Sequence, residues 1–347
     1  MRAKMKKPVS AFLALGLSCM GVSMAQADAV ADFYRGKQIS MIAPAGVGGG
    51  YDLYTRFLAR FYGRFIPGQP GMVVKNMPGA GGIVAANHMY TVAPPDGLTI
   101  AMFQNTITLN QLSAQSSVKF DVRKFTWIGN MSVASTICAM SGAAKEAKPK
   151  DFFEKEFVIG ASSGSANMVP ILLNSLAGTK FKVVAGYVST SNVQLAMETG
   201  EVSGLCGWSW DGARVTGRDQ FARGSAKVTI DIAIQPQPEL QQMGVPFLMD
   251  MLPEGDNKEA LKVILSTQVY NRPFAAPPNM PADRTTALRK AFADTLADAE
   301  VKAEADKLGL DVEFLGPDRI LELMNLALGA PPRIQAKAVD ELNKAGF

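Results

Sequence analysis

The chain has 347 residues, of which 48% are hydrophobic, with 35 Lys and Arg against 31 Asp and Glu. Its first 27 residues hold four of the basic residues and no acid, so the rest balances at 31 of each and offers no electrostatic case for nucleic acid or an anionic membrane surface. One histidine and scattered cysteines leave only carboxylates for a metal, and no Asp/Glu run has EF-hand spacing.

Arg2, Lys4, Lys6 and Lys7 precede the apolar run Ala11–Leu17, and Ala25-Gln26-Ala27 follows. A basic start, a short apolar centre and an Ala-x-Ala site predict a signal peptide over 1–27, with the mature chain starting at Asp28. The apolar run falls short of the roughly 20 residues that span a bilayer. Lipid attachment at Cys19 is disfavoured because Gly16 stands where such signals carry Leu.

From there the chain alternates strands and helices. Gln38–Ala43 reads as a strand, and Gly46-Val47-Gly48-Gly49-Gly50 as its loop. In the helix that follows, Leu53, Phe57, Leu58, Phe61 and Phe65 share one face. Val73–Asn76 is the next strand, Pro78–Gly82 its loop, and a helix runs on through Tyr90. Leu98, Ile100 and Met102 alternate along a third strand. The pattern restarts after about residue 150, with strands at Phe157–Gly160 and Phe181–Tyr187, a helix at Met168–Leu176 and another capped at 189–192 and ending at Gly200. Val228, Ile230, Ile232 and Ile234 alternate as a half-buried strand would, and a long helix runs from Pro281. This order predicts an α/β fold with a largely parallel sheet, and the length suggests two lobes. Cys138 and Cys206 sit in apolar strand-like runs, which favours buried free thiols over the disulfide that an oxidising compartment would permit.

Four loops lead from a strand's carboxyl end into a helix: 46–52, 76–82, 160–167 and 189–192. In open α/β sheets ligands bind at that edge. Helix N-termini there present unpaired N–H groups, and glycine lets the backbone approach an anion. Each loop by itself is better explained as a tight turn with a helix cap; four of them facing one cleft would clamp a carboxylate. Nucleotide binding is disfavoured, because Tyr51 and Val84 stand where a dinucleotide fingerprint has its third glycine, and no loop ends in Gly-Lys-Ser/Thr. Gly160-Ala161-Ser162-Ser163-Gly164 has the spacing of a nucleophile elbow, so a serine hydrolase using Ser162 is the enzyme alternative. The single histidine, His88, precedes that serine, whereas in α/β-hydrolases it follows. Trp208 and Trp210 follow a strand and serve equally as pocket lining or as core.

The run Ala43-Pro44-Ala45-Gly46-Val47-Gly48-Gly49-Gly50-Tyr51-Asp52, the run Val73–Gly82 and the run Pro95-Asp96-Gly97-Leu98-Thr99 together resemble the signatures of the solute-binding receptors of tripartite tricarboxylate transporters, the Bug receptors. Looser matches continue through Gly160–Ser165, Tyr187, Gly200-Glu201-Val202 and Val245-Pro246, whereas Val188-Ser189 and the Cys206–Trp210 run depart from the pattern. The resemblance implies a type II periplasmic binding protein: two α/β lobes joined by crossover strands, with the ligand cleft between them. The lobes are expected at 28–131 plus 247–347 and at 132–246. It implies a non-enzymatic, monomeric periplasmic receptor without cofactor or metal, which captures a small carboxylate and works with a large and a small membrane subunit. A periplasmic sensor for a signalling partner is the alternative within the same fold. The expected ligand-binding residues are Gly48, Gly49 and Gly50 through loop amides, Asp52 as a capping group, Gly79 and Gly81 as a second amide edge, Ser162, Ser165 and Thr190 from the opposite lobe, and Trp208 as pocket wall.

Overall fold

Apolar, β-branched runs ended by glycine, proline or asparagine form the strands of two five-stranded sheets in the computed structural model, which describes residues 29–48, 50–113, 116–162 and 165–346. The expected signal peptide, Gly49, and Ser163 and Gly164 of the elbow-like motif lie outside those residues. In the first sheet the inner strand β1 (Gln38–Ala43) leads into helix α1 (Gly50–Phe61). Strand β2 (Gly71–Asn76) lies parallel to β1 along its whole length, from Gln38 opposite Gly71 to Ala43 opposite Asn76. Helix α2 (Ile83–Thr91) then returns the chain to β3 (Thr99–Met102) on the other side of β1. A short helix α3 (Ile107–Leu112) precedes β4 (Thr126–Asn130) at the sheet edge.

The chain crosses to the second sheet at β5 (Thr136–Ser141). There β6 (Phe157–Ala161), α4 (Ser165–Leu172), β7 (Phe181–Ala185), α5 (Thr190–Thr199), β8 (Gly204–Ser209), α6 (Trp210–Thr216) and β9 (Ala226–Ile232) follow, in the spatial order β7-β6-β8-β5-β9. After α7 (Asp256–Ser266) the chain returns as β10 (Pro273–Ala276), which runs antiparallel between β3 and β4. Helices α8 (Ala282–Ala297), α9 (Ala299–Leu308), α10 (Pro317–Leu328) and α11 (Pro332–Lys344) finish the chain.

Successive strand side chains point to opposite faces, so each sheet feeds two apolar layers. Ile39 and Met41 pack with Phe57, Leu58 and Phe292 on one side of the first sheet, while Ile42 packs with Ala85, Met89 and Met324 on the other. In the second sheet Ile137 and Ala139 face Val193 and Trp208, whereas Cys138 and Met140 face Leu172 and Ile264. Strand β9 therefore differs from the half-buried strand expected of its alternating valine and isoleucines: Thr229 and Asp231 between them are buried as well.

Two further points differ from expectation. Cys138 and Cys206 stand opposite one another on antiparallel β5 and β8 and are bonded, which corrects the free-thiol reading. Strand pairing and helix packing also divide the chain differently. The strands of the first sheet come from 38–130 and 273–276, as the expected lobes imply, but α7 and α11 bury Leu261, Ile264, Ile334 and Leu342 beneath the second sheet. Their apolar stripes find partners there because α10 and β10 already cover and complete the first sheet.

The segments 131–135 and 267–272, which cross between the sheets, run side by side. Met131 N–H donates to the Arg272 carbonyl (3.2 Å), Asn271 N–H to the Ser132 carbonyl (3.1 Å) and Ala134 N–H to the Gln268 carbonyl (3.3 Å). Asn130 ties them further, accepting from Arg272 N–H at 2.7 Å and donating to the Ser132 carbonyl at 2.8 Å. These paired segments are the connection between the two sheets. Among the described residues no helix is long and apolar enough to cross a membrane.

Candidate functional site

The first lobe sets its two signature loops with one buried carboxylate. Asp52, in the first turn of α1, accepts from Gly48 N–H (2.9 Å), Arg56 Nε (3.0 Å) and Asn76 Nδ2 (2.7 Å). Asn76 Nδ2 also donates to the Ala45 carbonyl (2.9 Å), and Arg56 Nη2 donates to Asn76 Oδ1 (2.8 Å), so the ends of β1 and β2 are locked together. The Arg56 hydrogen bond outweighs burial and holds the Asp52 carboxyl down at about 2. Asp52 is thus committed to the loops, buried, and not part of the cleft lining. The loop at 79–82 is left-handed throughout, with φ of 138°, 43°, 57° and 87°. Ala80 is the costly member of that run, since a Cβ disfavours the region.

Between the sheets lies a cleft of about 360 Å³. Its floor is the paired crossover, through Ala134, Thr136, Gln268, Asn271 and Arg272. The Arg272 guanidinium stacks over the rings of Tyr51 (4.5 Å) and Tyr54 (4.9 Å) of α1, a cation–π seat that fixes its plane. Nη1 donates to the Asn271 carbonyl (2.9 Å) and to Asn271 Oδ1 (2.7 Å), while the buried Nε has no partner. Among the described residues no carboxylate pairs with this half-buried guanidinium. A cation in that setting lacks a counter-ion, and an anion entering the cleft supplies one. Burial pushes the Tyr51 and Tyr54 phenols up, and Arg272 pulls both back.

The second lobe forms the opposite wall. The N-terminus of α4 brings Ser165 and Ala166, and α5, capped by Ser189 accepting from Asn192 N–H, brings Thr190 and Ser191. The end of β8 and the start of α6 bring Gly207, Trp208, Ser209, Asp211 and Gly212. Gly207 is left-handed (φ 80°), and a Cβ there would meet the Ser165 carbonyl at 2.1 Å. That close approach seats α4 on the strand.

Of the expected ligand residues the structure gathers Ser165, Thr190 and Trp208 around the cleft, and Gly50 beside Arg272, where a Cβ would come within 3.6 Å of Nη2. Trp208 serves both roles left open for it: it lines the cleft, yet it is buried against Phe221 at 5.6 Å between ring centres. Gly48, Gly79, Gly81 and Ser162 do not line the cleft; the three glycines are exposed on the rim loops. His88 lies on α2 against the first sheet, whereas Ser162 follows β6 of the second. Sequence reading missed Arg272, Asn105 and Asp211. Arg272 carries no motif; its one signal is a cation set between apolar runs, just before Pro273. Asn105, which bonds the Tyr51 hydroxyl (3.2 Å), belongs to a third strand-to-helix loop that has no glycine signature.

Residues 64–152 match the sequence profile of the tripartite tricarboxylate transporter family receptor. A UPF0065 protein of Cupriavidus necator is 31% identical over 120 residues, which are 34% of this chain and 35% of that protein, so the match spans about a third of that relative's length. Among solved structures, a TctC solute binding protein from Polaromonas aligns over 90% of this chain and 99% of its own, with TM-score 0.67 and 16% identity. MatC from Rhodopseudomonas palustris, solved with bound malate, aligns over 88% and 99%, with TM-score 0.53 and 16% identity. The resemblance to this receptor family is borne out, in sequence over 64–152 and in fold across both sheets.

Proposed function

We propose that this chain is a periplasmic solute receptor that binds a small carboxylate in the cleft between its sheets and presents it to a membrane transporter of the tripartite tricarboxylate type. The observation that carries the reading is Arg272: a half-buried guanidinium, stacked on two tyrosines at the floor of the cleft, with no carboxylate paired to it among the described residues. A ligand carboxylate supplies that counter-ion, and the helix N-termini at Gly50, Ser165 and Thr190 add amide donors around it. The bound malate of MatC, a protein of the same fold, is in keeping with a ligand of that size and charge.

In this reading the first lobe carries the strands of 38–130 and 273–276, and the second carries 136–232 together with α7 and α11. The paired segments 131–135 and 267–272 act as the hinge, so Arg272 holds the ligand at the axis of closure, where both lobes can reach it.

The test is a thermal-shift screen of the mature protein, refolded to strip carried-over ligand, against a panel of carboxylates. A ligand at 100 times its Kd stabilises the fold by about 2.7 kcal/mol. Replacing Arg272 by Met in the responding protein should weaken binding at least about tenfold, the loss expected when a charge-assisted contact of about 1.5–3 kcal/mol is removed. Absence of any shift, or an Arg272→Met protein that binds as the wild type does, would overturn the reading.

A further inference from the structure

A second charged group faces the same cleft and has no partner among the described residues. Asp211, in the first turn of α6, lines the cavity with Arg272, and its Oδ1 is buried without a hydrogen bond. The nearby cation is taken: Arg214 sits 3.5 Å from Glu239 and 3.6 Å from Asp311 across the lobes. Tyr54, over whose ring Arg272 stacks at 4.9 Å, feels both groups: Arg272 pulls its phenol down and Asp211 pushes it up. Asp311 is pushed up to about 6, mainly by burial and then by Asp211, in spite of Arg214.

Resting on the carboxylate reading above, we propose that Asp211 and Arg272 are the two poles of one site, and that its preferred ligand is a small acid that also carries a protonated amine. The carboxylate lies on Arg272 and the ammonium on Asp211, with Thr190, Ser191 and Ser209 available to the remaining polar atoms. A dicarboxylate of the same length brings a second anion toward Asp211, or leaves that carboxylate buried without a partner, and is disfavoured either way. Asp211 is therefore the residue that sets specificity, and Arg272 the one that sets affinity for acids in general.

The experiment is isothermal titration of the mature protein with three pairs of probes that differ only by an amine: succinate and aspartate, glutarate and glutamate, butyrate and 4-aminobutyrate. In at least one pair the amine-bearing member should bind tenfold or more tightly than its partner. Replacing Asp211 by Asn, which keeps the shape of the side chain, should bring that ratio down toward one. Replacement by Glu should restore part of it. Tighter binding of the amine-free members, or a ratio that Asp211→Asn leaves unchanged, overturns this proposal and leaves the carboxylate reading standing. Binding of none of the six by the wild type counts against both. A variant that unfolds is recognised by its melting temperature, and the Asp211→Glu titration then decides: a folded Asp211→Glu protein with no preference left for the amine-bearing member sinks the assignment.

Discussion

Asp52 in the first lobe and Asp231 in the second are both buried, yet their surroundings are opposite. Asp52 accepts from a backbone amide, an asparagine and an arginine, and its carboxyl is held at about 2. Asp231 has one donor, Gln237 N–H at 2.8 Å on Oδ2; its Oδ1 has none, and burial pushes it up to about 6. The glycines divide in the same way. Gly48 is left-handed with nothing within 4 Å of an added Cβ, whereas Gly207 is left-handed with the Ser165 carbonyl 2.1 Å away. The first lobe positions its wall by a saturated polar network around open loops. The second positions its wall by close backbone packing, with the Cys138–Cys206 bond between its central strands, and leaves a polar group under-paired. Two walls facing one cleft are thus held by different physics, and they should fail differently.

The sharpest way to break this contrast is a matched pair of glycine changes. Gly207→Ala adds a backbone clash to the left-handed cost and should lose about 3–4 kcal/mol in urea denaturation. Gly48→Ala meets only the conformational cost and should lose about 1 kcal/mol. Equal losses would mean that the close approach of α4 to β8 does not seat the second wall.

Asp52→Ala comes next. It leaves the Gly48 amide, Asn76 and Arg56 without their acceptor and should cost about 2–3 kcal/mol at pH 7. Because the folded carboxyl sits below its unfolded value, the contribution is fully present above about pH 4 and fades as the pH falls toward 2. A wild-type and variant pair whose midpoints stay equally far apart at pH 7 and pH 2.5 would contradict the network.

The smallest effect has the opposite sign. The Asp231 carboxyl binds its proton more tightly when folded, so it favours the fold below about pH 4 and that support is lost as the pH rises through 6. Asp231→Asn should accordingly stabilise the protein by about 1–2 kcal/mol at pH 8 and by nothing near pH 4. Melting curves at the two pH values check it; a destabilised variant at pH 8 would show that Asp231 has a cationic partner after all.

Much of the fold was legible because its strands and helices obey local rules. The alternation at Leu98, Ile100 and Met102 and the apolar helical face of Phe57, Leu58 and Phe61 specify their elements without outside help. Asp52 as a cap was legible for the same reason, since it bonds an amide four residues away. The destinations of α7 and α11 were not. An amphipathic stripe shows that a helix must be covered, but which sheet covers it depends on what else is already packed there.

By itself the sequence determined the strand-and-helix order, the glycine loops that end the strands, and the likeness to a family of receptors, because each is carried by residues close together in the chain. Only the tertiary structure decided that Cys138 meets Cys206, that Gly48, Gly79 and Gly81 sit on the rim while Ser165, Thr190 and Trp208 enter the cleft, and that Arg272 and Asp211 face it together. Those groups stand 61 residues apart. Their pairing is a matter of where two crossovers and a helix end place them in space, and no local pattern records it.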